Sequence, residues 1–309
     1  MPKKNEVLVG KRSISITHGK KILFPHAKLT KNDLIKYYLK IADIMLPHIK
    51  NRFISMQRFV DGADHPGFFQ KNASDYFPSW IKTEPISKKG NGTVDYVVCN
   101  DAATLVYLAN QLTITFHIWL SKINKPDFPD RLIFDLDPSV KSFASVREAA
   151  RLLRNVLENE LGLKTFLMTT GSRGLHIAVP LDKKKDFDFV RKFALDVAQL
   201  LVARHPKTLT VEIRKSKRGK KVFVDYLRNA FGQTGVAPYS VRGLRGAPIA
   251  TPIEWRELGK VTPNKFTIKN IFKRLSAKDD PWKTIEKDAC SLQKARKTLD
   301  SLLVSGEIK

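Results

Sequence analysis

Asp135 and Asp137 interrupt an otherwise apolar stretch, Arg131-Leu132-Ile133-Phe134-Asp135-Leu136-Asp137, closed by Pro138. In a strand, residues two apart share a face, so the two carboxylates project together while Phe134 and Leu136 point the other way. Adjacent carboxylates repel, and burying both without a counter-charge is costly. A divalent cation removes that difficulty, and hard cations such as Mg²⁺ or Mn²⁺ prefer oxygen ligands and bind substrate phosphates as well. A third carboxylate, Asp225, interrupts a second strand-like run, Val222-Phe223-Val224-Asp225-Tyr226. Three such acids are what a site holding two Mn²⁺ or Mg²⁺ ions for phosphoryl transfer needs. One ion lowers the pKa of an attacking 3′-hydroxyl, and the other holds the triphosphate and its leaving pyrophosphate.

Taken alone, an Asp-x-Asp strand also fits a strand end with solvated acids. It further resembles the opening motif of haloacid-dehalogenase-type phosphatases, whose first Asp is a nucleophile. That motif lies near an N-terminus and continues with Gly-Thr, whereas Pro138-Ser139 follow here, deep in the chain. Groups suited to a triphosphate stand nearby in sequence. Thr169-Thr170-Gly171-Ser172-Arg173-Gly174-Leu175-His176 gathers hydroxyls, glycines, a guanidinium and an imidazole in one turn; glycines let backbone N–H groups approach phosphate oxygens. The plainer reading is a hairpin turn followed by a sheet histidine. Tyr239-Ser240-Val241-Arg242-Gly243-Leu244-Arg245-Gly246 offers two guanidiniums, which either grip phosphate or pair with a carboxylate. In Phe68-Phe69-Gln70-Lys71, two aromatics beside a cation can stack on a base and reach a phosphate, or simply pack in a core. Lys217 and Arg218, in the basic turn 214–221, and Lys71 are candidates for contact with a nucleic-acid backbone, although charge runs are usually just solvated.

The elements that must position these groups follow from periodicity. Residues 11–26 read as a strand, where Ser13 to Thr17 alternate, and a turn. Thr30-Lys31-Asn32-Asp33 resembles a capping box, opening a helix whose apolar positions Leu34, Ile35, Tyr38, Leu39, Ile41 and Ala42 recur until Pro47. Strands are expected at 52–60, 96–99 and 113–119, a helix at 101–110, and polar loops at 61–67 and 84–91. After the strand at 131–137, an amphipathic helix carries Val146 to Leu161 and stops at Gly162. Strands at 165–169 and 175–180 flank the turn 171–174, and a helix covers 186–204. Paired strands at 208–214 and 221–226 enclose the basic turn, and the end is polar and helical from Asn270. This order predicts an α+β fold: a largely antiparallel RRM-like or ferredoxin-like sheet module after an N-terminal α/β lobe. The corresponding division is a basic tail (1–10), an N-terminal lobe (11–130), a catalytic sheet module (131–262) and a C-terminal helical segment (263–309).

Bulk properties agree with a polyanionic partner. Of 309 residues, 42% are apolar, so the chain can build a real core. Lys and Arg total 55 against 30 Asp and Glu, a formal charge of +25, and each cation set on a phosphate releases counterions. Cys99 and Cys290 stand apart, which argues against a zinc site or a disulfide framework and fits a reducing, cytoplasmic, nucleoid-associated setting. The first ten residues lack the apolar centre of a secretory signal. No stretch approaches the roughly 18 apolar residues of a membrane span.

Together these motifs resemble the polymerase domain of bacterial ligase D, in the archaeo-eukaryotic primase superfamily. The matching pieces, in order, are Lys21-Ile22-Leu23-Phe24-Pro25, Thr30-Lys31-Asn32-Asp33-Leu34 with Tyr37-Tyr38, and Arg58 with Asp61-Gly62. Phe68-Phe69-Gln70-Lys71, His117 with Trp119, residues 132–138, 169–180, Val224-Asp225-Tyr226 and 239–252 with Glu254-Trp255 follow. Val60 replaces the family's usual Pro before Asp-Gly. The resemblance implies a primase-polymerase fold in which Asp135, Asp137 and Asp225 bind the metals. It implies that Thr170, Arg173, His176 and Arg242 hold the triphosphate, that Phe69 stacks on the incoming base with Phe68 alongside, and that His117 and Arg58 line the nucleotide pocket. Lys21 and Lys31 would recognise the 5′-phosphate of a broken DNA end. The implied activity is template-directed addition of nucleotides, NTP in preference to dNTP and often with Mn²⁺, to ends or gaps of double-stranded DNA in non-homologous end joining. Such a domain is commonly fused to a ligase, so Ku and a separate ATP-dependent DNA ligase are the expected partners if it acts alone; otherwise it is a piece of a longer protein. A primase starting strands de novo and a non-catalytic nucleic-acid-binding protein are the other readings.

Overall fold

In the computed structural model, which describes residues 5–87, 92–140 and 142–304, Thr30 opens helix α1 (Lys31–Ile49) through the anticipated capping box. Its hydroxyl accepts from Asp33 N, and the Asp33 carboxylate accepts from Thr30 N at 2.7 Å. Pro47, expected to end the helix, lies inside its last turn. Buried Leu46 and Ile49 hold that turn, and Lys50 N still donates to Leu46 O. The chain divides into two units: residues 1–119, 236–251 and 266–278, and residues 120–235, 252–265 and 279–309.

The first unit begins with a hairpin of β1 (Glu6–Val9) and β2 (Arg12–Ser15). The expected basic tail is therefore a strand from Glu6 onward, because Val9 and Ile14 are buried beneath it; residues 1–4 lie outside the described residues. The short strands β3 (Ile22–Phe24) and β4 (Leu29–Thr30) lead into α1. β5 (Phe53–Arg58), β6 (Phe68–Gln70), β7 (Thr83–Ser87), β8 (Thr93–Val98) and β9 (Thr113–Trp119) form the main sheet, with α2 (Ala102–Asn110) between the last two. Its strand order is β9-β5-β8-β7, and β6 pairs with the far end of β5. Glu84 to Ser87, part of the polar loop expected at 84–91, instead continue the strand β7. As an edge strand it tolerates a proline, which cannot donate to a ladder. Of that expected loop, Lys88, Lys89, Gly90 and Asn91 lie outside the described residues. Asp101 caps α2 by accepting from Thr104 N at 2.7 Å.

The second unit holds β10 (Arg131–Pro138), α3 (Phe143–Arg154), β11 (Phe166–Thr169), β12 (Leu175–Pro180), α4 (Phe187–Arg204), β13 (Leu209–Thr210) and β14 (Val222–Asp225). Their sheet runs β13-β14-β10-β12-β11, antiparallel except for β13 beside β14. The α+β class and antiparallel module expected from sequence are therefore present. The paired strands expected at 208–214 and 221–226 are present only in part. Of 208–214 only Leu209 and Thr210 form a strand, and it lies parallel to β14. Arg218 stacks on the Phe223 ring at 3.7 Å and donates to the carbonyls of Glu212 and Ile213.

The consecutive division also changes. Buried tyrosine hydroxyls need partners, and residues 236–251 supply one for each of Tyr37 and Tyr38: Tyr37 donates to Tyr239 O at 2.6 Å, and Tyr38, which donates to Ile114 O at 2.6 Å, accepts from Val241 N at 3.0 Å. Residues 279–304 join the second unit instead. Buried Trp282 donates to Leu167 O at 3.0 Å, and Arg296, on the C-terminal helix Gln293–Val304, pairs with buried Asp196 at 2.8 Å. Residues 120–130 also belong to it, because Leu181 N donates to Asp130 O at 2.8 Å.

Candidate active site

The second unit's central strand sets the carboxylates. On β10, Leu132, Phe134 and Leu136 are fully buried on one face, leaving Asp135 and Asp137 on the other. Register then adds what alternation cannot: Asp135 lies directly across from Asp225 on β14 and from His176 on β12. His176 Nε2 stands 3.4 Å from an Asp135 carboxylate oxygen. Its Nδ1 is buried and, among the described residues, has no hydrogen-bond partner. Asp225 accepts from Leu227 N at 2.7 Å. Burial first and the Asp135 charge second push the carboxyl groups of Asp137 and Asp225 above the ordinary aspartate range. Arg228 opposes the shift at both, and Arg173 and His176 also oppose it at Asp137.

The turn expected to hold phosphate lies against this strand. A Cβ on Gly174 would meet Leu136 O at 2.2 Å, so only glycine lets the turn sit there. Thr170 is the turn's internal staple: Ser172 N and Gly174 N donate to its hydroxyl, which donates to Gly174 O. Arg173, between them, is exposed and acts electrostatically on Asp137.

In the first unit, Arg58, Phe68, Phe69 and His117 share the β5–β6–β9 region. The Phe69 ring stands edge-on to His117 at 5.1 Å, whereas Phe68 pairs with Arg58, whose guanidinium lies 5.8 Å from its ring. The two rings therefore have different neighbours on opposite sides of β6. Arg58 is fixed by donating to Gln111 O at 2.8 Å and to Gln70 Oε1 at 2.7 Å. Arg242 lies in the turn bounded by the Val241–Ile249 bridge, and its N–H donates to Pro248 O at 2.7 Å. Buried Lys31, the first residue of α1, donates to Thr17 O at 2.6 Å and to its hydroxyl at 3.1 Å. Burial first, and then the Lys21 charge, lower its pKa to about 8. Lys31 N donates to Lys21 O at 2.8 Å, so the two lysines stand together at the start of α1. Lys71 and Lys217 are exposed; Arg218 is not, for the reason given above.

Sequence reasoning missed Arg228 and Asn229. The Arg228 Nε stands 3.8 Å from Asp135 and 3.6 Å from Asp225, between the two acids. The fully buried Asn229 amide accepts from Ile133 N and donates to Ile133 O, both at 2.8 Å, tying the segment after β14 to β10. The available signal was spacing: a cation three residues after Asp225 returns to its side through one helical turn.

The profile of the LigD primase-polymerase domain matches residues 30–282. The chain belongs to this LigD primase-polymerase family. It is 32% identical over 286 residues to the multifunctional non-homologous end joining DNA repair protein LigD of Mycobacterium tuberculosis strain H37Rv, covering 89% of this chain and 37% of that protein. It is 32% identical over 272 residues to the bifunctional LigD of Bacillus subtilis strain 168, covering 87% and 43%. The chain thus spans well under half the length of these LigD relatives. The polymerase domain of M. tuberculosis ligase D in complex with DNA superposes with a TM-score of 0.82 at 31% identity, covering 90% of this chain and 99% of that one. Among the described residues, no group of three or more His, Cys, Asp or Glu side chains stands ready-made to hold an ion. Mg²⁺-like ions are commonly held by one or two carboxylates together with substrate phosphates and water. The opposed Asp135 and Asp225, with Asp137 beside them, fit that mode.

Proposed function

We propose that the protein is a template-directed polymerase that adds nucleotides to DNA ends or gaps in non-homologous end joining, with NTPs preferred. The observation that carries the reading is the direct opposition of Asp135 and Asp225 across β10 and β14, with Asp137 on the same face. Two Mn²⁺ or Mg²⁺ ions bound there by Asp135, Asp137 and Asp225 would activate a 3′-hydroxyl and neutralise the triphosphate. The chain's own groups supply the rest. Arg173, His176 and Arg242 orient phosphate oxygens, and Thr170 keeps the phosphate turn in shape. Phe69, backed by His117, stacks on the incoming base, and Arg58 with Phe68 serves a base beyond it. Lys21 and Lys31 take the 5′-phosphate across a gap, and Lys71 and Lys217 attract the DNA backbone. Ku and an ATP-dependent ligase are the proposed partners.

The test is extension of 5′-phosphorylated gapped DNA by wild type and Asp135→Ala, with NTP against dNTP and Mn²⁺ against Mg²⁺. Wild type is expected to incorporate nucleotides and release pyrophosphate, and the variant to do neither. Synthesis on an unprimed template would favour the primase reading. Release of inorganic phosphate alone would favour a phosphatase.

A further inference from the structure

Tyr76 is among the most exposed aromatic side chains of the described residues, at 60%. Its hydroxyl accepts from Arg58 at 3.1 Å, the same guanidinium that lies by the Phe68 ring. Behind it the ring is supported by aromatic contacts: Tyr76 stands edge-on to Phe77 at 5.2 Å, and Phe77 edge-on to Tyr107 at 5.4 Å. Phe68 is 48% exposed. Two open rings, bridged by a guanidinium anchored through Gln111 and Gln70, thus form one platform on the side of β6 away from Phe69 and His117.

We propose that Tyr76 is a nucleic-acid-binding residue whose ring takes an unpaired base of a single-stranded overhang, next to the base on Phe68. The proposal rests on the reading of the protein as a polymerase of DNA ends. Every base has a stackable face, so such a platform is tolerant of sequence, and an adjacent Arg adds attraction for the strand. Exposed Asp75 beside Tyr76 repels phosphate, which favours a base over the backbone at this point. A pre-supported ring also loses little conformational freedom on binding.

The test is fluorescence anisotropy with labelled duplexes, blunt or carrying a short single-stranded overhang, without metal or nucleotide. Tyr76→Ala is expected to weaken overhang binding about tenfold, ~1.4 kcal/mol, while blunt-end binding and the unfolding midpoint stay unchanged. Tyr76→Phe, which keeps the ring and loses the hydroxyl, is expected to bind like wild type. Wild-type affinity in Tyr76→Ala overturns the proposal. So does an equal loss in Tyr76→Phe, which would make the hydroxyl's hold on Arg58 the whole effect. Because no catalysis is read, the two readings can fail separately: Tyr76-dependent overhang binding in a protein that extends nothing removes only the polymerase reading.

Discussion

Asp135 and Asp225 are 8% and 6% exposed, whereas Phe68 and Phe69 are 48% and 54% exposed. The carboxylates are locked in place by strand register at the centre of a sheet, and their mutual repulsion works against the fold that holds them. The phenylalanines sit on a three-residue strand at the end of β5 and contribute little burial. Under the proposed function, one region therefore trades stability for chemistry, while the other offers contact surface at almost no structural cost. Substitutions should separate them. In the acidic cluster, activity and stability should move in opposite directions; on the aromatic strand, binding should change alone.

The sharpest break would come from Asp137→Asn, which keeps shape and removes a charge. Extension of gapped DNA should fall on the order of 10²–10³-fold, as for loss of one preorganised electrostatic group, while DNA affinity by anisotropy is retained. A loss below tenfold would place the chemistry elsewhere. Next in size, Phe69→Ala should raise the nucleotide KM about tenfold, within the range for one stacked base. Phe68→Ala should leave that KM near wild type and weaken overhang binding instead. Identical effects from the two would undo their assignment to opposite sides of β6.

A smaller effect concerns Lys31. Its folded-state pKa of about 8 lies below the value of a free lysine. Its positive charge is thus present below pH 8 and lost as pH rises through it. The preference for 5′-phosphorylated over unphosphorylated gaps should decline several-fold across that window, and Lys31→Arg, which does not titrate there, should abolish the decline. A flat profile in wild type would remove Lys31 from phosphate recognition. The smallest expected effect is thermal. A carboxyl whose folded pKa is raised contributes stability below its unfolded pKa and loses it as pH rises through the folded value. At neutral pH, Asp225→Asn should therefore raise the unfolding midpoint by about 2–4 °C while ending extension. A fall would show that pairing with Arg228 outweighs burial and repulsion.

Much of this was legible in residue order because it depends on short-range periodicity. A period of two sets Asp135 and Asp137 on one face, Thr30 and Asp33 mark the start of α1, and the Gly171–Gly174 turn announces itself by composition. Pro85 and Pro47 misled because local propensity takes no account of an edge position or of buried neighbours that hold a turn. The basic turn misled because charge patterning does not reveal that Arg218 finds a ring and two carbonyls close by. Strand pairing over long separations is fixed by packing of the whole sheet, which sequence spacing does not encode. Only the tertiary structure therefore decided that Asp225 faces Asp135 and that Arg228 enters between them. It also decided that Phe68 and Phe69 part company and that residues 236–251 supply a partner for each of Tyr37 and Tyr38.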